Sequence, residues 1–325
     1  MGEMIIHYTK INEESKKEAI LSSGFLLERR VATLLRKFGY KTITNRGFFD
    51  LENNKSREYD VYAYKDVEVY GAGSYGIYPT LICECKSNSQ PISFFIHDEE
   101  KFEPLMDEVT VSGIPSKIWK RNKYISVQEF VDVLNIHHYC KPVAPVATQC
   151  CTYTFEKGKY WSASHGEDLH ETERTLTKAL ENEIDNDYKN MTQWFDPGEI
   201  EKEFTDLSFY YPLVIYQGEI EAVYVGKNDE LNKNDLIIKP CDHIQYNPEF
   251  YSFYNNEVIS YHIDVITEKY LPSYLKMIES EMTIIKNVLQ EQKQVVIRSV
   301  DKIITECKSL EKTAKNYRGN LEYIF

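Results

Sequence analysis

Four residues in the first third of the chain have the side chains that metal-dependent phosphodiester cleavage requires: Glu28, Asp60, Glu84 and Lys86. Such cleavage needs carboxylates that hold a hard divalent cation, a route to hydroxide at neutral pH, and a positive charge near the phosphate. Asp60 and Glu84 can supply the carboxylates, and Lys86 can supply the positive charge. The set therefore indicates hydrolysis of a phosphodiester bond, with Mg²⁺ or Mn²⁺ as the cofactor.

Glu84 and Lys86 lie in Leu81-Ile82-Cys83-Glu84-Cys85-Lys86, a short run of the kind that forms a buried strand. Because side chains alternate along a strand, Glu84 and Lys86 project from the same face, with their Cα atoms about 6.6 Å apart. A neighbouring strand lies about 4.8 Å away. Asp60 on such a neighbour can share one metal ion with Glu84.

A Glu-x-Lys pattern is weak by itself, because the chain contains five copies. They are Glu14-Lys16, Glu84-Lys86, Glu99-Lys101, Glu291-Lys293 and Glu306-Lys308. Only the copy at Glu84 follows a short apolar run bounded by turn residues and has an acidic strand residue shortly upstream. Strand context therefore selects Glu84 and Lys86.

The two upstream acids each have an alternative interpretation. Asp60 lies in a strand of aromatic and β-branched residues, where an acid is unfavourable unless it lies at an edge or binds something. Glu28 lies at the margin of the apolar stripe of the first helix. The residues of that stripe, at helical spacing, are Leu27, Val31, Leu34, Leu35 and Phe38. The alternative for Glu28 is a surface acid that pairs with Arg29, Arg30 or a Lys elsewhere.

Four segments together resemble the PD-(D/E)XK, or restriction-endonuclease-like, nuclease superfamily. In chain order they are Gly24-Phe25-Leu26-Leu27-Glu28, Leu34-Leu35-Arg36-Lys37-Phe38-Gly39-Tyr40, Arg57-Glu58-Tyr59-Asp60-Val61 and Ile82-Cys83-Glu84-Cys85-Lys86. The resemblance covers residues 14 to 155. Tyr59 departs from the aliphatic residue that many members carry before the Asp, and the segment from Asp66 to Pro79 is a long insertion.

The resemblance implies an α/β fold with an αβββαβ core around a mixed sheet. It implies that Asp60 and Glu84 bind Mg²⁺, that the carbonyl of Cys85 is a further candidate ligand, and that Lys86 orients or activates the attacking water. Glu28 would be an accessory acid. The implied activity is endonucleolytic cleavage of DNA, in defence against foreign DNA or in repair, and RNA stays open as a substrate. The alternative is an inactive nuclease-fold protein that acts as a nucleic-acid-binding or protein-interaction scaffold.

Hydrophobic patterning predicts three regions: a nuclease-like domain (1–155), a second α/β region (156–269) and a helical tail (270–325). The second region is either a degenerate repeat of the first or a partner or specificity module. For the first domain we predict a helix at Glu13–Gly39, strands at Tyr40–Phe49, Tyr59–Tyr64 and Thr80–Lys86, a helix at Ser126–His138 and a strand at Val146–Phe155. For the second we predict a helix at Glu167–Tyr188, a hairpin of Leu213–Tyr216 with Ile220–Val225, and a strand at Ile259–Thr267.

The tail carries a heptad-like seam. Its members are Leu271, Leu275, Ile278, Met282, Ile285, Leu289, Gln292 and Val296. Such a seam predicts either a long helix that packs on its own chain or a homodimer formed through the helix at 271–296.

Charge and cysteine content narrow the class of protein. A net charge of −13 argues against a protein that coats nucleic acid through bulk charge, although it leaves room for a local basic patch. The candidate patch mixes cations with aromatic residues and consists of Lys117, Lys120, Arg121 and Lys123. An ordinary basic loop is the alternative. Seven cysteines without a C-x-x-C pair, no membrane-spanning apolar stretch and no signal pattern predict a cytoplasmic protein.

Overall fold

A computed structural model shows most of the predicted nuclease-like domain and of the second region. It describes residues 11–21, 23–68, 76–96, 111–112, 117–120, 123–126, 143–156, 158–194, 207–226, 232–252 and 257–287. The helices in these ranges are α1 (Glu13–Leu21), α2 (Phe25–Lys37), α3 (Glu167–Trp194) and α4 (residues 271–287). In this part of the chain, no helix combines the length and the apolar character that a membrane span requires.

Seventeen strands lie in the described ranges. The first ten are β1 (Lys41–Asp50), β2 (Lys55–Tyr64), β3 (Val67–Glu68), β4 (Gly76–Ser87), β5 (Ile92–Ile96), β6 (Val111–Ser112), β7 (Lys117–Lys120), β8 (Lys123–Ser126), β9 (Val146–Glu156) and β10 (Tyr160–Ser164). The others are β11 (Leu207–Gln217), β12 (Ile220–Val225), β13 (Leu236–Cys241), β14 (His243–Tyr246), β15 (Glu249–Ser252), β16 (Glu257–Ser260) and β17 (Ile263–Thr267). Short 3₁₀ turns occur at Lys233–Asp235 and Glu268–Tyr270.

Thirteen strands form one mixed sheet, which confirms the α/β class. Its main order is β1-β2-β4-β11-β17-β14-β9-β5-β12-β13, with β3, β6 and β10 attached beside β4, β11 and β9. Strands β1, β2 and β4 are antiparallel neighbours, whereas β4, β11 and β17 run parallel to one another. Strand β11 is apolar along almost its whole length, as expected of a parallel strand that is covered on both faces.

Helices cover both faces of the sheet around β4. On one face α2 packs through Leu27, Val31 and Leu35, and α4 packs beside it. On the other face α3 packs through Leu176, Leu180 and neighbouring residues. Since β4 lies between these layers, its residues are buried on both sides from Leu81 to Cys85.

The first helix and the strands β1, β2 and β4 lie close to their predicted positions. The helix predicted at Glu13–Gly39 is interrupted and forms α1 and α2, and only α2 carries buried residues. Gly39 follows α2 with φ +85°, a conformation that glycine adopts readily and that ends the helix. The second-region helix is α3, which is longer than predicted, and the predicted strand at Ile259–Thr267 is divided between β16 and β17.

The hairpin predicted from Leu213–Tyr216 and Ile220–Val225 is wrong. Both segments are strands, but β11 lies between β4 and β17, whereas β12 lies between β5 and β13. The parallel pair β4–β11 continues into the parallel pair β12–β5. At this junction a Cβ on Gly218 would lie 2.9 Å from the carbonyl oxygen of Asn88, so the two chain segments approach too closely for a side chain.

The helix and parallel strand beside β4 do not come from the predicted segments. The predicted strand at Val146–Phe155 is β9, but β9 pairs with β5, β10 and β14 instead of β4. The predicted helix at Ser126–His138 lies outside the described residues except for Ser126, which ends β8. Instead, the helix that packs on β4 is α3, and the parallel strand beside β4 is β11. The boundary predicted at residue 155 therefore falls inside one continuous sheet.

Helix α4 contains the first five residues of the heptad-like seam and shows what they pack against. Leu271, Leu275, Ile278, Met282 and Ile285 are at most 3% exposed and pack in the same core cluster as α2 and β4. These residues are consequently unavailable to a partner chain, and the homodimer prediction fails over 271–287. Leu289, Gln292 and Val296 lie outside the described residues.

Candidate active site

Asp60 lies where β2 and β4 separate. The pairing of these two strands ends at Val61 and Cys83, and beyond that pair the N–H of Cys85 donates to Oδ2 of Asp60, with an N-to-O distance of 2.7 Å. The carboxylate thus takes the place of a backbone acceptor from the neighbouring strand. Burial raises the pKa of Asp60, while the Cys85 hydrogen bond and Lys86 oppose that rise.

A local distortion of the hairpin accompanies this position. Tyr59 packs in the core cluster on the α3 side, whereas Val61 packs in the cluster on the α2 side, so regular alternation is interrupted between them. Across the hairpin, Asn45 has φ +53°, a left-handed conformation that asparagine tolerates better than most residues. The sequence provides Asn at the strained position and Asp at the position where β2 leaves β4.

Glu84 and Lys86 project from β4, as the alternation rule predicts. Glu84 is 5% exposed, and its Oε2 lies 3.1 Å from Nζ of Lys86, which reaches partly into solvent. Burial is the main cause that raises the pKa of Glu84 to about 7, and the negative charge of Asp60 adds to it. The Lys86 ammonium lowers that pKa but does not offset the other effects.

Glu28 joins the same electrostatic cluster from α2. Burial raises its pKa, the charges of Asp60 and Glu58 raise it further, and Lys86 lowers it. One alternative partner of Glu28 is engaged elsewhere, because Arg30 forms two hydrogen bonds with the carboxylate of Glu268 at 2.6 and 2.9 Å. The structure therefore brings the helix acid into range of both strand acids.

The four residues form a site with more negative than positive charge. Three carboxylates meet one ammonium group, and each of the three has a raised pKa because it is withdrawn from water near another acid. Within the described ranges, no three His, Cys, Asp or Glu side chains are grouped so that they could hold a metal ion by themselves. A cation here would need the two strand carboxylates together with non-side-chain ligands such as the Cys85 carbonyl.

The basic segment lies on a separate two-stranded hairpin. Strands β7 and β8 pair with each other, and Lys120 lies opposite Lys123 in their register. Lys117 begins β7, and Arg121 lies outside the described residues. A role for these four residues in nucleic-acid binding stays a prediction.

A second charged cluster was not found from the sequence. Asp50, at the end of β1, is 1% exposed and pairs with Arg57 at 2.7 Å and with Lys178 of α3 at 3.1 Å. Asn53 adds two hydrogen bonds to the same carboxylate. The acid and its α3 partner are separated by 128 residues, so no local pattern could have connected them.

The arrangement of Glu28, Asp60, Glu84 and Lys86 places carboxylates beside one ammonium group, a set that could offer two strand carboxylates to a cation. No protein-family model matches the chain, and a search of curated proteins and of solved structures gave no match. Function must therefore be inferred from the residues of the site.

Proposed function

We propose that this protein is a metal-dependent nuclease that hydrolyses phosphodiester bonds in DNA. The observation that carries the proposal is the convergence of Asp60, Glu84 and Lys86 at one end of β4, with Glu28 contributed by α2. Within the described residues, Lys86 does not balance the charge of the three acids, so a purely structural ion-pair network does not account for them. An external cation would supply the positive charge that is missing.

The donor set fits Mg²⁺ or Mn²⁺. Magnesium sites in proteins commonly use one or two carboxylates, with water and substrate phosphate completing the shell. Asp60 and Glu84 provide two carboxylates, and the carbonyl of Cys85 lies between Glu84 and Lys86 in sequence. When bound, the ion supplies Lewis-acid stabilisation of the phosphate and lowers the pKa of water.

The protein's own groups would each have a separate role in the reaction. The N–H of Cys85 donates to the Asp60 carboxylate and fixes its orientation. One of the two candidate carboxylate ligands is therefore already oriented before an ion binds. Lys86, tethered to Glu84, places an ammonium group beside the acids, where it can orient the attacking water and stabilise negative charge that develops on the phosphate. Glu28 would act as an accessory acid.

The fold supports the same proposal. Helix α2, strands β1, β2 and β4, helix α3 and strand β11 follow one another in an αβββαβ order, and β11 lies parallel to β4. This is the arrangement that the resemblance to the PD-(D/E)XK class implies, with the segment between β4 and α3 as an insertion. We propose that this restriction-endonuclease-like core spans both halves of the chain.

Incubation of the purified protein with DNA and Mg²⁺ tests the proposal. We expect cleavage that EDTA abolishes and that Asp60→Ala and Lys86→Ala each remove. A parallel reaction with RNA of the same sequence decides between the two nucleic acids. Cleavage that persists undiminished in both variants, or wild-type protein that cleaves neither substrate with Mg²⁺ or Mn²⁺, would overturn the assignment.

A further inference from the structure

The two outer strands of the large sheet differ in how they meet solvent. Strand β1 carries Lys41, Arg46 and the left-handed Asn45 along its edge, which are features that discourage pairing with another chain. Strand β13 pairs with β12 and lies at the other end of the sheet order. Its consecutive residues Leu236, Ile237 and Ile238 are 43, 53 and 50% exposed.

Aliphatic side chains are exposed on both faces of β13. Alternation places Leu236 and Ile238 on one face and Ile237 on the other, so neither face is covered by a further layer of the described residues. The neighbouring strand β12 adds Tyr224 and Val225, which are 37 and 40% exposed and pair with Ile237 and Leu236. An edge strand with unpaired backbone groups and aliphatic residues on both faces is a template for another strand.

We propose that β13 pairs with β13 of a second copy of this chain, antiparallel about a two-fold axis at Ile237. In that register Ile237 faces its own copy and Leu236 faces Ile238. Asp235, which ends the 3₁₀ turn before β13 and accepts a hydrogen bond from the N–H of Asn232 at Oδ2, faces Lys239. Each end of the paired segment then joins an acid to a base on the face of Ile237, while the other face is entirely aliphatic. Pro240 lies opposite Asn234, outside the five central pairs.

Charge complementarity favours this register and this occupant. A shift by one residue in either direction places Lys239 opposite Leu236 or Asn234 and separates it from Asp235. A shift by two residues in one direction places Lys239 opposite Lys233, which is repulsive. The segment 235–239 is therefore complementary to itself in one antiparallel register, as an isologous interface requires.

Cysteine cross-linking of the full chain tests the register directly. Residues that face each other across an antiparallel pair have Cβ atoms within about 5.5 Å, close to disulfide range. Ile237→Cys should form a covalent homodimer on mild oxidation, whereas Leu236→Cys alone should not. A mixture of Leu236→Cys and Ile238→Cys chains should form the mixed dimer, and wild-type protein controls for the native cysteines.

Sedimentation velocity measures the association itself. Wild-type protein should sediment as a dimer at micromolar concentration. Ile237→Lys and Lys239→Asp should each weaken association at least tenfold, while Lys233→Asp, outside the central pairs, should leave it unchanged. Circular dichroism should show the same fold in all variants, because the substituted side chains are exposed. A monomeric wild-type protein, or a dimer that is insensitive to Ile237→Lys, would overturn the proposal.

Discussion

The hairpin of β1 and β2 carries two aspartates in opposite electrostatic situations. Asp50 is surrounded by Arg57, Lys178 and Asn53, and although burial acts to raise its pKa, the hydrogen bonds lower that pKa to about 2. Asp60 accepts one backbone hydrogen bond and faces other acids, and its pKa is raised. Among the described residues, the charge of Asp50 is neutralised by cationic partners, whereas that of Asp60 is only partly offset by Lys86.

The difference separates a structural site from a candidate catalytic one. The Asp50 cluster ties the β1–β2 turn to α3 through ion pairs that the folded chain completes, so no external group is needed there. The cluster of Asp60, Glu84 and Glu28 stays short of positive charge although Lys86 is present. Perturbed carboxylates that the fold does not neutralise are characteristic of functional sites.

The largest expected effect comes from replacing one lysine in each of the two clusters by methionine. Lys86→Met should reduce the cleavage rate by about 10²–10³-fold, because it removes the positive charge beside the reacting phosphate. Lys178→Met, the matched control, removes a lysine of the compensated cluster and should leave the cleavage rate within a few-fold of wild type. Initial rates on supercoiled DNA in Mg²⁺ measure both. Equal losses in the two variants would remove the distinction between the clusters.

For the free energy of unfolding, the substitution in the Asp50 cluster should have the larger effect. Asp50→Asn should lower the free energy of unfolding by about 2 kcal/mol, because it removes a buried carboxylate that Arg57 and Lys178 both contact. Arg57 keeps Glu171 and Lys178 keeps Glu52, so neither cation loses all of its partners. Asp60→Asn should cost less, or even stabilise the metal-free protein, since it removes a carboxylate that is close to other acids. Urea unfolding in EDTA measures the difference. A greater loss in Asp60→Asn than in Asp50→Asn would contradict the comparison.

Divalent cation should stabilise the uncompensated site alone. A ligand present at a hundredfold excess over its Kd stabilises the folded state by roughly 2–3 kcal/mol, so saturating Mg²⁺ should raise the Tm of wild-type protein above its value in EDTA. Asp60→Asn should lose most of this increase, whereas Asp50→Asn should keep it. Thermal unfolding without DNA provides the measurement. An increase that survives in Asp60→Asn would place the cation elsewhere.

A smaller effect is expected at Glu173 of α3, a buried acid whose Oε1 has no hydrogen-bond partner among the described residues. Burial raises the pKa of Glu173 to about 8. Between the pKa of about 4.3 in the unfolded chain and this value, only the folded state binds the proton, so stability falls as pH rises through that window. Glu173→Gln removes this loss and should be at least about 2 kcal/mol more stable than wild type at pH 8, with little difference at pH 4.

The control for this prediction is Glu171→Gln, on the same helix. Glu171 pairs with Arg57, whose hydrogen bond lowers the pKa of that carboxyl. Its substitution should bring no gain in stability at pH 8. Urea unfolding in EDTA at several pH values follows both variants. A pH profile of Glu173→Gln identical to that of wild type would show that Glu173 is ionised without penalty.

Much of the local structure around the site could be predicted from the sequence. The alternation rule predicted that Glu84 and Lys86 share a face of a strand, and their side chains meet at 3.1 Å. Helical spacing identified Leu27, Val31 and Leu35 as the buried stripe of α2. Such patterns are local, and burial on one side of an element imposes them directly.

The predictions from sequence were wrong or undecided where an element could pack against more than one partner. Two strands joined by Gly218 and Glu219 suggested a hairpin, yet β11 pairs with β4, more than 120 residues before it. The heptad pattern at Leu271 and Leu275 is the same whether the facing surface is a second helix or the chain's own sheet. Short-range spacing reports that a face is buried but does not report what covers it.

The sequence by itself determined which residues have suitable chemistry and which face of each element they occupy. Only the tertiary structure decided that Glu28 reaches the strand acids, that α3 and β11 flank β4, and that Asp50 is neutralised whereas Asp60 is not. The physical reason is that side-chain direction follows from backbone geometry within a few residues. Electrostatic compensation instead depends on charges that folding brings together from distant parts of the chain.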